Sequence, residues 1–500
     1  MDRRRFCQTA VGAAVAASLP TSHAIAAALQ ALTTVAGDIN GITGDGNDVV
    51  LKQADVQELS DSLRGRLLLP GNDGYDEARA VLNGGIDRYP ALIVQPSGAT
   101  DVSHAVNYAR ENSLITAVKC GGHSTSGKST CDGGLQIDLS SYRNCEVDRK
   151  NRIAHVAGGS LLGDMDHESM AHGLVTTAGT VSHTGVGGLT TGGGFGRVAR
   201  RYGLALDNVM AVDVVTADGQ LRHASKEENP DLYWGVRGGG GNFGVVTNFH
   251  FKLHPMQRTV VGGDILFPVA QARDVMKFFA AYYESIPDEL YADLGLISSA
   301  GGNGDFVMIH LCYSGPEKEA SKWVDPVRNA GTPVVDGIKA MDYVALQKLW
   351  DETDPRATAS YIKSGFVTRI SDELIDALIG GLEPHPDRSA MAYFQCGGGA
   401  VGRVPTDATA FPHRYSRHDM FGSISWKTGA ASEEHVAYLR QYWSTLEQYT
   451  RGFYVNDYYE ATQETLNKNY QGNYERLVAV KNKYDPTNLF RLNANVMPTV

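Results

Sequence analysis

The chain has 500 residues, of which 42% are hydrophobic and 20% are charged, and its formal net charge is -11. This length and composition predict a soluble globular protein large enough to form two domains, and they exclude a disordered or collagen-like chain. The acidic balance argues against nucleic acid and anionic lipid, which both favour dense Lys and Arg patches. A small molecule is therefore the expected partner.

The first element along the chain is a predicted export signal at residues 1–26. Arg3, Arg4 and Arg5 precede an Ala-rich stretch, and residues 24–26 form a small-residue cleavage site. The stretch is too short and too weakly apolar to span a bilayer. The consecutive arginines indicate the twin-arginine route, which exports folded proteins, and a general secretory signal is the alternative. We therefore expect an exported protein, periplasmic or secreted, without a membrane span.

The cysteine pattern predicts neither a disulfide framework nor a metal site. Beyond Cys7 the number of cysteines is odd, so they cannot all pair, and no C-x-x-C motif is present. We expect no bound metal. These cysteines are Cys120, Cys131, Cys145, Cys312 and Cys396.

Residues 91–120 are predicted to form a strand, a helix and a second strand. The segments ALIVQP and LITAVK are the strands, and Thr100 or Asp101 is the expected N-cap of the helix between them. From residue 135 to residue 253, short alternating runs separated by glycine clusters predict a mixed α+β domain. The helix is predicted from apolar residues spaced at i, i+3, i+4 and i+7, namely Val102, Ala105, Val106 and Ala109.

The segment GGHSTSGKST, which begins at Gly121, contains the phosphate-loop pattern G-x-x-x-x-G-K-[ST] at residues 122–129. A true phosphate loop follows a strand and opens a helix. Residues 114–118 are strand-like, but paired glycines and an alternating apolar run after Lys128 leave no room for a helix. The pattern is therefore predicted to be accidental, and Lys128 is not expected to contact a triphosphate.

A second phosphate pattern, G-x-G-x-x-G, is formed by Gly239, Gly241 and Gly244. It is followed by residues that alternate as a strand, whereas a Rossmann fingerprint must open a helix. Glycine bursts without such a helix favour a dinucleotide held by several loop amides, with tight turns as the alternative. The bursts are GVGGLTTGGGFG, RGGGGNFG and CGGGAVG.

From about Met256 the pattern changes to strands that alternate with long helices, which is typical of a sheet backed by helices. The predicted strands are VVGGDILFP, ADLGLISSA and FVMIHLCYS, and the predicted helices are AQARDVMKFFAAYYESI and SEEHVAYLRQYWSTLEQY.

Four ordered segments resemble the berberine-bridge-enzyme-like branch of the vanillyl-alcohol-oxidase flavoproteins, over residues 89–498. The resemblance implies an α+β fold with a two-part FAD-binding domain of the vanillyl-alcohol-oxidase type, at 45–255 and 453–500. A substrate-binding domain at 256–452, an antiparallel sheet backed by helices, is inserted between the parts. The segments are VKCGGHSTSGKSTCDGGLQIDLS, AGTVSHTGVGGLTTGGGFGRVARRYGLALDNV, DLYWGVRGGGGNFGVVT and NYERLVAVKNKYDPTNLFRLNANVMP.

In that family the GGHS loop wraps the pyrophosphate of FAD, and its histidine bonds covalently to the flavin, which implies a tether at His123. A neutral imidazole is a competent nucleophile, and the flavin 8α carbon becomes electrophilic in its quinone-methide form. The alternative is a histidine that only forms hydrogen bonds. Many relatives attach the flavin a second time through a cysteine, but the matching position here is Val181. We therefore expect single attachment, as in the singly linked members.

The resemblance also implies the other cofactor contacts, including Val245 and its neighbouring amides on the adenine side. Thr184 matches the position that controls oxygen access, where oxidases usually carry Val. KYDPTNLF resembles the closing segment beneath the flavin, and its Asp485 and Pro486 are predicted turn formers. The expected cofactor-binding residues are Lys119, Cys120, Gly121, Gly122, His123, Ser124, Gly127, Gly179, Thr180, Thr184, Gly187, Gly188, Gly192, Gly193, Val245 and Asn493.

On the substrate side, Tyr454 matches the tyrosine that accepts the substrate proton in related oxidases. A free phenol has a pKa near ~10, so the site would have to lower that pKa with a cation or donate strong hydrogen bonds. A core tyrosine on a strand is the alternative. Alternation places Gln395 on one face of its strand as a candidate substrate contact. Some sugar oxidases have an acid where this chain has Gly397, which argues against an oligosaccharide substrate.

Together these features predict an FAD-dependent oxidoreductase that takes hydride from a C–H bond next to oxygen or nitrogen of a small molecule. Secondary metabolites, alcohols, amines and sugars are the substrate classes considered. Electrons are expected to pass to O2, giving H2O2, and a flavin dehydrogenase with another acceptor is the alternative. A phosphate-loop NTPase or a non-catalytic flavin-binding protein are the alternatives from other classes.

Overall fold

The computed structural model describes residues 34–302, 304–351, 355–457 and 459–500, and the predicted export signal lies outside these ranges. Helices and largely antiparallel sheets are mixed along the chain, which confirms the predicted α+β class. No helix within the described ranges is both long enough and apolar enough to cross a membrane. The helices are Gln53–Ser62, Tyr75–Arg79, Ala99–Glu111, Leu162–Met170, Val186–Gly192, Ala199–Tyr202, Pro230–Val236, Ala272–Tyr283, Ala320–Arg328, Tyr343–Gln347, Asp372–Gly381, Glu433–Leu446, Gln463–Asn469 and Tyr474–Tyr484.

The predicted strand, helix and strand near residue 100 are confirmed, and their strands belong to a four-stranded sheet. Leu92–Gln95 and Thr116–Lys119 both pair parallel with Leu135–Asp138, and Arg66–Leu68 adds an antiparallel edge. The helix Ala99–Glu111 buries the apolar residues that the sequence spacing indicated. The strand Thr116–Lys119 ends just before the GGHS loop, so this sheet positions that loop.

The predicted N-cap of that helix is wrong. Gly98 occupies the N-cap position, so Thr100 and Asp101 lie inside the first turn. The buried Asp101 carboxylate instead accepts hydrogen bonds from the backbone N–H groups of Arg64 (3.0 Å) and Gly65 (2.9 Å). Its acceptor oxygens therefore hold a neighbouring loop instead of capping the helix.

A five-stranded antiparallel sheet follows, and its strand Gly244–Lys252 starts directly at the second glycine pattern. In this described stretch no helix opens there, and none opens after Ser129 either, where turns lead into Leu135–Asp138. Both predictions that the phosphate patterns are accidental are confirmed at the level of secondary structure. The strand order is Leu221–Ser225, Val209–Thr216, Gly244–Lys252, Ile153–Ala157 and Cys145–Asp148, and two further strand pairs are Ile39–Ile42 with Asp48–Leu51 and Leu174–Val175 with His254–Pro255.

The chain beyond residue 256 forms an eight-stranded antiparallel sheet backed by helices, as predicted. The helices Ala272–Tyr283, Asp372–Gly381 and Glu433–Leu446 share a hydrophobic core with one face of the sheet. Side chains alternate along a strand, so Leu294 enters this core whereas Ile297 lies on the opposite face. The strands are Thr259–Pro268, Leu290–Ser298, Asp305–Tyr313, Val335–Asp336, Lys339–Asp342, Thr358–Val367, Arg388–Cys396 and His418–Lys427.

The C-terminal residues pack against the first half of the chain. Leu477 and Val480 join the core of the five-stranded sheet, and Leu489 and Phe490 join the core of the four-stranded sheet. The tail therefore connects both sheets beside the GGHS loop.

A buried ion pair fixes the turn that leads into this tail. Lys481 Nζ donates to Asp485 Oδ2 (2.6 Å), and the side chains of both residues are fully buried. Lys481 also donates to the carbonyl oxygens of Asn242 (2.8 Å) and Phe490 (3.1 Å). Asp485 accepts from the N–H of Leu489 (2.8 Å), so its carboxylate organises the turn. All charges and donors in this buried cluster are therefore satisfied.

Candidate active site

A cavity of about 750 Å³ lies between the glycine-rich loops and the face of the eight-stranded sheet opposite its helices. This volume is typical of sites that hold a cofactor or a substrate. The GGHS loop, residues 179–191, residues 240–246 and the C-terminal residues 490–494 build one side. The sheet contributes the opposite wall through Ile297, Met308, Met391, Tyr393, Gln395 and Phe421.

Most of the predicted site residues line this cavity, and four do not, namely Lys119, Gly127, Gly192 and Gly193. Lys119 Nζ donates to the carbonyl oxygen of Ala78 (2.5 Å), and Gly127 packs against Ile86 with a φ of 71°. The predicted residues that line the cavity are Cys120, Gly121, Gly122, His123, Ser124, Gly179, Thr180, Thr184, Gly187, Gly188, Val245, Gln395, Tyr454 and Asn493.

Gly192 and Gly193 were predicted to let the backbone approach the cofactor, but neither belongs to the cavity wall in the described part of the chain. A Cβ on Gly192 would collide with the Asn456 amide, and a Cβ on Gly193 would lie 2.8 Å from the Tyr454 ring. Their small size therefore admits two side chains of the protein itself. The close approach at these two glycines is therefore explained by protein side chains, and their contact with a cofactor stays a prediction.

The burst CGGGAVG also lies away from the cavity. Gly398 and Gly399 have φ values of 75° and 51°, and a Cβ on either would meet Arg200. Arg200 Nη1 donates to the carbonyl oxygen of Gly397 (3.0 Å). This burst is a tight turn packed on an arginine, which was the alternative interpretation of such glycines.

The glycines that do line the cavity expose bare backbone to it. Gly121 and Gly185 approach so closely that a Cβ on either would collide with the backbone N of the other. Gly122 has a φ of 70°, which is a left-handed conformation that favours glycine. At Gly188 and Gly240 a Cβ would meet open space. These loops therefore form a wall of peptide groups with room beside it for a ligand.

Several buried polar atoms on the cavity wall have no partner among the described residues. They are Ser129 Oγ, Gln395 Oε1, Asp457 Oδ2 and Asn493 Oδ1. Buried polar atoms are normally hydrogen-bonded, so unpaired ones on a cavity wall indicate a polar ligand. The bare peptide groups and these atoms fit a large polar group such as a dinucleotide.

Lys128 lies in the same wall, although its phosphate pattern was predicted to be accidental and it was not among the predicted cofactor-binding residues. Its Nζ donates to the carbonyl oxygen of Asn493 (3.1 Å). Burial and the nearby Arg88 lower the pKa of Lys128 to about 7. A bound anion would favour the charged form of this amine and raise its pKa again.

His123 pairs with a second histidine that was not predicted. His123 Nε2 lies 2.8 Å from His183 Nδ1, and His123 Nδ1 lies 3.3 Å from Thr184 Oγ1. Burial, followed by the effect of His183, lowers the pKa of His123 to about 4, so its imidazole is neutral at pH 7. If Nε2–H donates to His183, the free lone pair is on Nδ1. The only sequence signal for His183 was its position next to Thr184 in VSHTGVGG.

The cysteines near the cavity are poor nucleophiles. All five described cysteines are unpaired. Burial raises the pKa of Cys120, which lines the cavity, to about 11, and raises that of Cys131 to about 12. Because the thiolate is the reactive form, both remain unreactive thiols at neutral pH.

Tyr454 lies in a loop before the short turn Val455–Asp457, not on a strand. Its hydroxyl oxygen accepts hydrogen bonds from the N–H of Gly194 (2.7 Å) and from Asn456 Nδ2 (2.8 Å). Burial nevertheless raises its pKa well above the ordinary value, and Asp457 adds to the rise. The phenol therefore keeps its proton, which disfavours the phenolate expected of a base.

Asp213, His223 and His250 form a separate cluster whose possible ligand atoms all lie within 4.8 Å of one another, a spacing compatible with a metal ion. None of the three lines the cavity. His223 Nδ1 is 2.8 Å and His250 Nε2 is 3.4 Å from the Asp213 carboxylate. These hydrogen bonds account for the approach of the three groups on neighbouring strands.

Two family models match the chain. The FAD binding domain matches residues 90–225, and the model described as berberine and berberine like matches residues 454–497. The first match contains the GGHS loop, and the second contains Tyr454 and the C-terminal tail. Both matched segments contribute to the cavity described above.

Similar proteins cover almost the whole chain. An FAD-linked oxidoreductase of Dictyostelium discoideum is 32% identical over 451 residues, which is 89% of this chain and 97% of that protein. An (R)-6-hydroxynicotine oxidase of Paenarthrobacter nicotinovorans is 29% identical, over 87% of this chain and 97% of that protein. The crystal structure of 6-hydroxy-D-nicotine oxidase from Arthrobacter nicotinovorans superposes with a TM-score of 0.79 at 27% identity, over 88% and 99% of the two chains.

Proposed function

This chain belongs to the berberine-bridge-enzyme-like family of FAD-linked oxidoreductases, and on that premise we propose that it oxidises a small molecule at a C–H bond next to oxygen or nitrogen. The observation that carries the proposal is a cavity that joins bare glycine loops to a sheet wall bearing Gln395, with Tyr454 from the C-terminal segment beside it. One side suits a dinucleotide, and the other suits a small substrate. We assign FAD to residues 45–255 and 453–500, and the substrate to residues 256–452.

Bound FAD supplies the hydride acceptor for such an oxidation. Peptide groups around Gly121, Gly187 and Gly240 are suited to hold its phosphates and ring edges, and Lys128 supplies a positive charge in the same wall. Gln395 and Tyr454 would orient the substrate, because one has an unpaired oxygen and the other has a proton to donate. Thr184 remains the proposed residue at the oxygen-access position.

We assign the covalent tether to His123. The ring is neutral and lines the cavity. In the tautomer whose Nε2–H donates to His183, the Nδ1 lone pair is the nucleophile, and its 3.3 Å contact with Thr184 Oγ1 opens for the attack. His183 Nδ1 is placed to accept the Nε2 proton when the bond forms. With Val181 at the position of the second link and Cys120 kept as a thiol, attachment at a single point follows.

The test of the proposed function is a visible spectrum followed by an activity screen. The purified protein should show flavin bands near ~370 and ~450 nm. An aerobic screen of sugars, phenols, alkaloids and amines should find compounds that release H2O2. Each active compound is then tested without oxygen and with a redox dye. Turnover with the dye but no peroxide in air would favour the dehydrogenase alternative, and a colourless protein would overturn the proposal.

We further infer that the chain is exported by the twin-arginine route. The basis is the arginine run in residues 1–26 and the need to bind FAD before export. Replacing Arg4 and Arg5 together by Lys should retain the protein in the cytoplasm, because the route requires arginines. Cell fractionation of the wild type and the variant measures this. Equal export of both would favour a general secretory signal.

A further inference from the structure

Two carboxyl groups meet at the substrate end of the cavity without a cation. Asp419 lies on the strand His418–Lys427 and is fully buried, and Asp457 lies in the turn after Tyr454 and lines the cavity. Neither residue forms an ion pair with any described residue. Sequence patterns did not indicate this pair, because the two residues are 38 positions apart in the sequence.

The carboxyl oxygens have few other partners. Both oxygens of Asp419 and Oδ2 of Asp457 are buried, and no described residue donates a hydrogen bond to them. The two groups can hydrogen-bond each other only when one of them carries a proton. Two adjacent carboxylates cannot both remain ionised in a buried site at low cost, so the pair shares a proton.

The surroundings maintain this arrangement. Burial raises the pKa of Asp457 to about 7, and burial together with Asp457 raises the pKa of Asp419 well above its usual range. Other titratable groups that interact with the pair come from neighbouring elements: Asp293, Cys396 and Tyr454. None of these is a cation, so nothing nearby drives both carboxyls to ionise.

Asp419 is also fixed with respect to the substrate wall. It is the direct cross-strand partner of Gln395, whose unpaired oxygen faces the same cavity. Asp457 is three residues after Tyr454, so the pair, the phenol and the amide surround one small region. This region therefore contains a proton donor, a hydrogen-bonding amide and a carboxyl pair that holds a single proton.

We propose that the Asp419–Asp457 pair is the proton acceptor of this cavity, and that Asp457 takes the proton lost by the substrate O–H or N–H group. The inference rests on the proposed oxidation. In that step the C–H electron pair leaves as hydride to bound FAD, the O–H or N–H bond gives its proton to Asp457, and a C=O or C=N bond forms. Asp419 is a positioning residue, because it holds the acceptor through the shared proton.

The pair also restricts the class of substrate. At neutral pH the shared proton leaves about one negative charge on the two groups, beside the aromatic rings of Trp350, Tyr393 and Phe421. This end of the cavity therefore favours a neutral alcohol, phenol or amine and disfavours a carboxylate or phosphate. Acidic derivatives of any compound active in the screen should react more slowly than their amides.

The first test needs no substrate. A carboxyl whose pKa is raised on folding stabilises the protein below its ordinary pKa of 3.8, and that stabilisation is lost as pH rises to about 7. Asp457→Asn should remove this loss, so its midpoint of thermal unfolding relative to wild type should be higher at pH 8 than at pH 4. A difference that does not change with pH would overturn the shared proton.

The second test measures anaerobic flavin reduction across pH with the most active compound of the screen. Asp457→Asn should slow reduction by ~10² to 10⁴-fold and abolish the kinetic pKa, as expected for a lost base. Asp419→Leu should shift that pKa upward, because the hydrogen bond from Asp419 that lowers the pKa of Asp457 is removed. Tyr454→Phe should be only ~10-fold slower, the effect of one lost hydrogen bond, and should keep the kinetic pKa.

The matched control is Asp166→Asn. Burial also raises the pKa of Asp166 to about 7, but this residue does not line the cavity. The control should alter the pH dependence of stability and leave the kinetic pKa in place. An unchanged reduction rate in Asp457→Asn would overturn the inference while the proposed function stands. A wild type whose flavin is reduced by none of the compounds would overturn both.

Discussion

His123→Ala should turn the acid-precipitated protein from yellow to colourless and release all of its flavin into the supernatant. The reason is that His123 is the only imidazole among the described residues that line the cavity, and burial keeps Cys120 as a thiol. The measurement is absorbance near ~450 nm in the redissolved precipitate and in the supernatant. This is an all-or-none effect, since a covalent bond is either present or absent.

The control for this experiment is His172→Ala, which changes an exposed histidine outside the cavity and should leave the precipitate yellow. His183→Ala keeps the nucleophile but removes the acceptor of its Nε2 proton, so attachment should be slower in freshly reconstituted protein. A yellow precipitate from His123→Ala would refute the tether. Recovery of a flavin peptide that contains Cys120 would refute attachment at a single point.

Lys481→Met should lower the free energy of unfolding by ~3 to 5 kcal/mol, the usual result of removing one partner of a buried ion pair. The Asp485 carboxylate would remain buried without its cation, and the carbonyl oxygens of Asn242 and Phe490 would lose a donor. Urea unfolding followed by fluorescence and circular dichroism measures the change.

Two variants make this result specific. Lys468→Met breaks an exposed pair with Glu464 at the same i, i+4 spacing and should leave the unfolding midpoint unchanged. Lys481→Met combined with Asp485→Leu removes both charges and should recover part of the stability. If Lys481→Met alone were as stable as wild type, the tail would not depend on the ion pair.

Elements with a local signal were predictable from the sequence. The helix Ala99–Glu111, the strand Gly244–Lys252 and the absence of phosphate-binding helices follow from spacing within short segments, and the structure confirms them. The GGHS loop was recognisable because its residues are consecutive. Most predicted cofactor contacts line the cavity for the same reason, because neighbouring residues of one loop lie at the same place in the structure.

Contacts that depend on tertiary packing could not be predicted in this way. The approach of His183 to His123 joins residues 60 positions apart, and the meeting of Asp419 with Asp457 depends on strand register and on the position of the tail. Gly192 and Gly193 show a related difficulty. A glycine reports that something lies close to the backbone, but its sequence context does not say whether that is a ligand or another side chain.

Each strand of the eight-stranded sheet carries two sets of residues, one that packs in the core and one that lines the cavity. Positions such as Leu294 and Phe394 point into the helix-backed core, whereas Met391, Tyr393 and Gln395 point into the cavity. On the proposed assignment of the substrate to this wall, substitutions at the cavity positions reshape substrate preference while the residues of the helix-backed core stay unchanged. A lineage with this architecture can acquire new substrates by changing alternate residues, and a mutant library restricted to those residues should retain a high fraction of folded members.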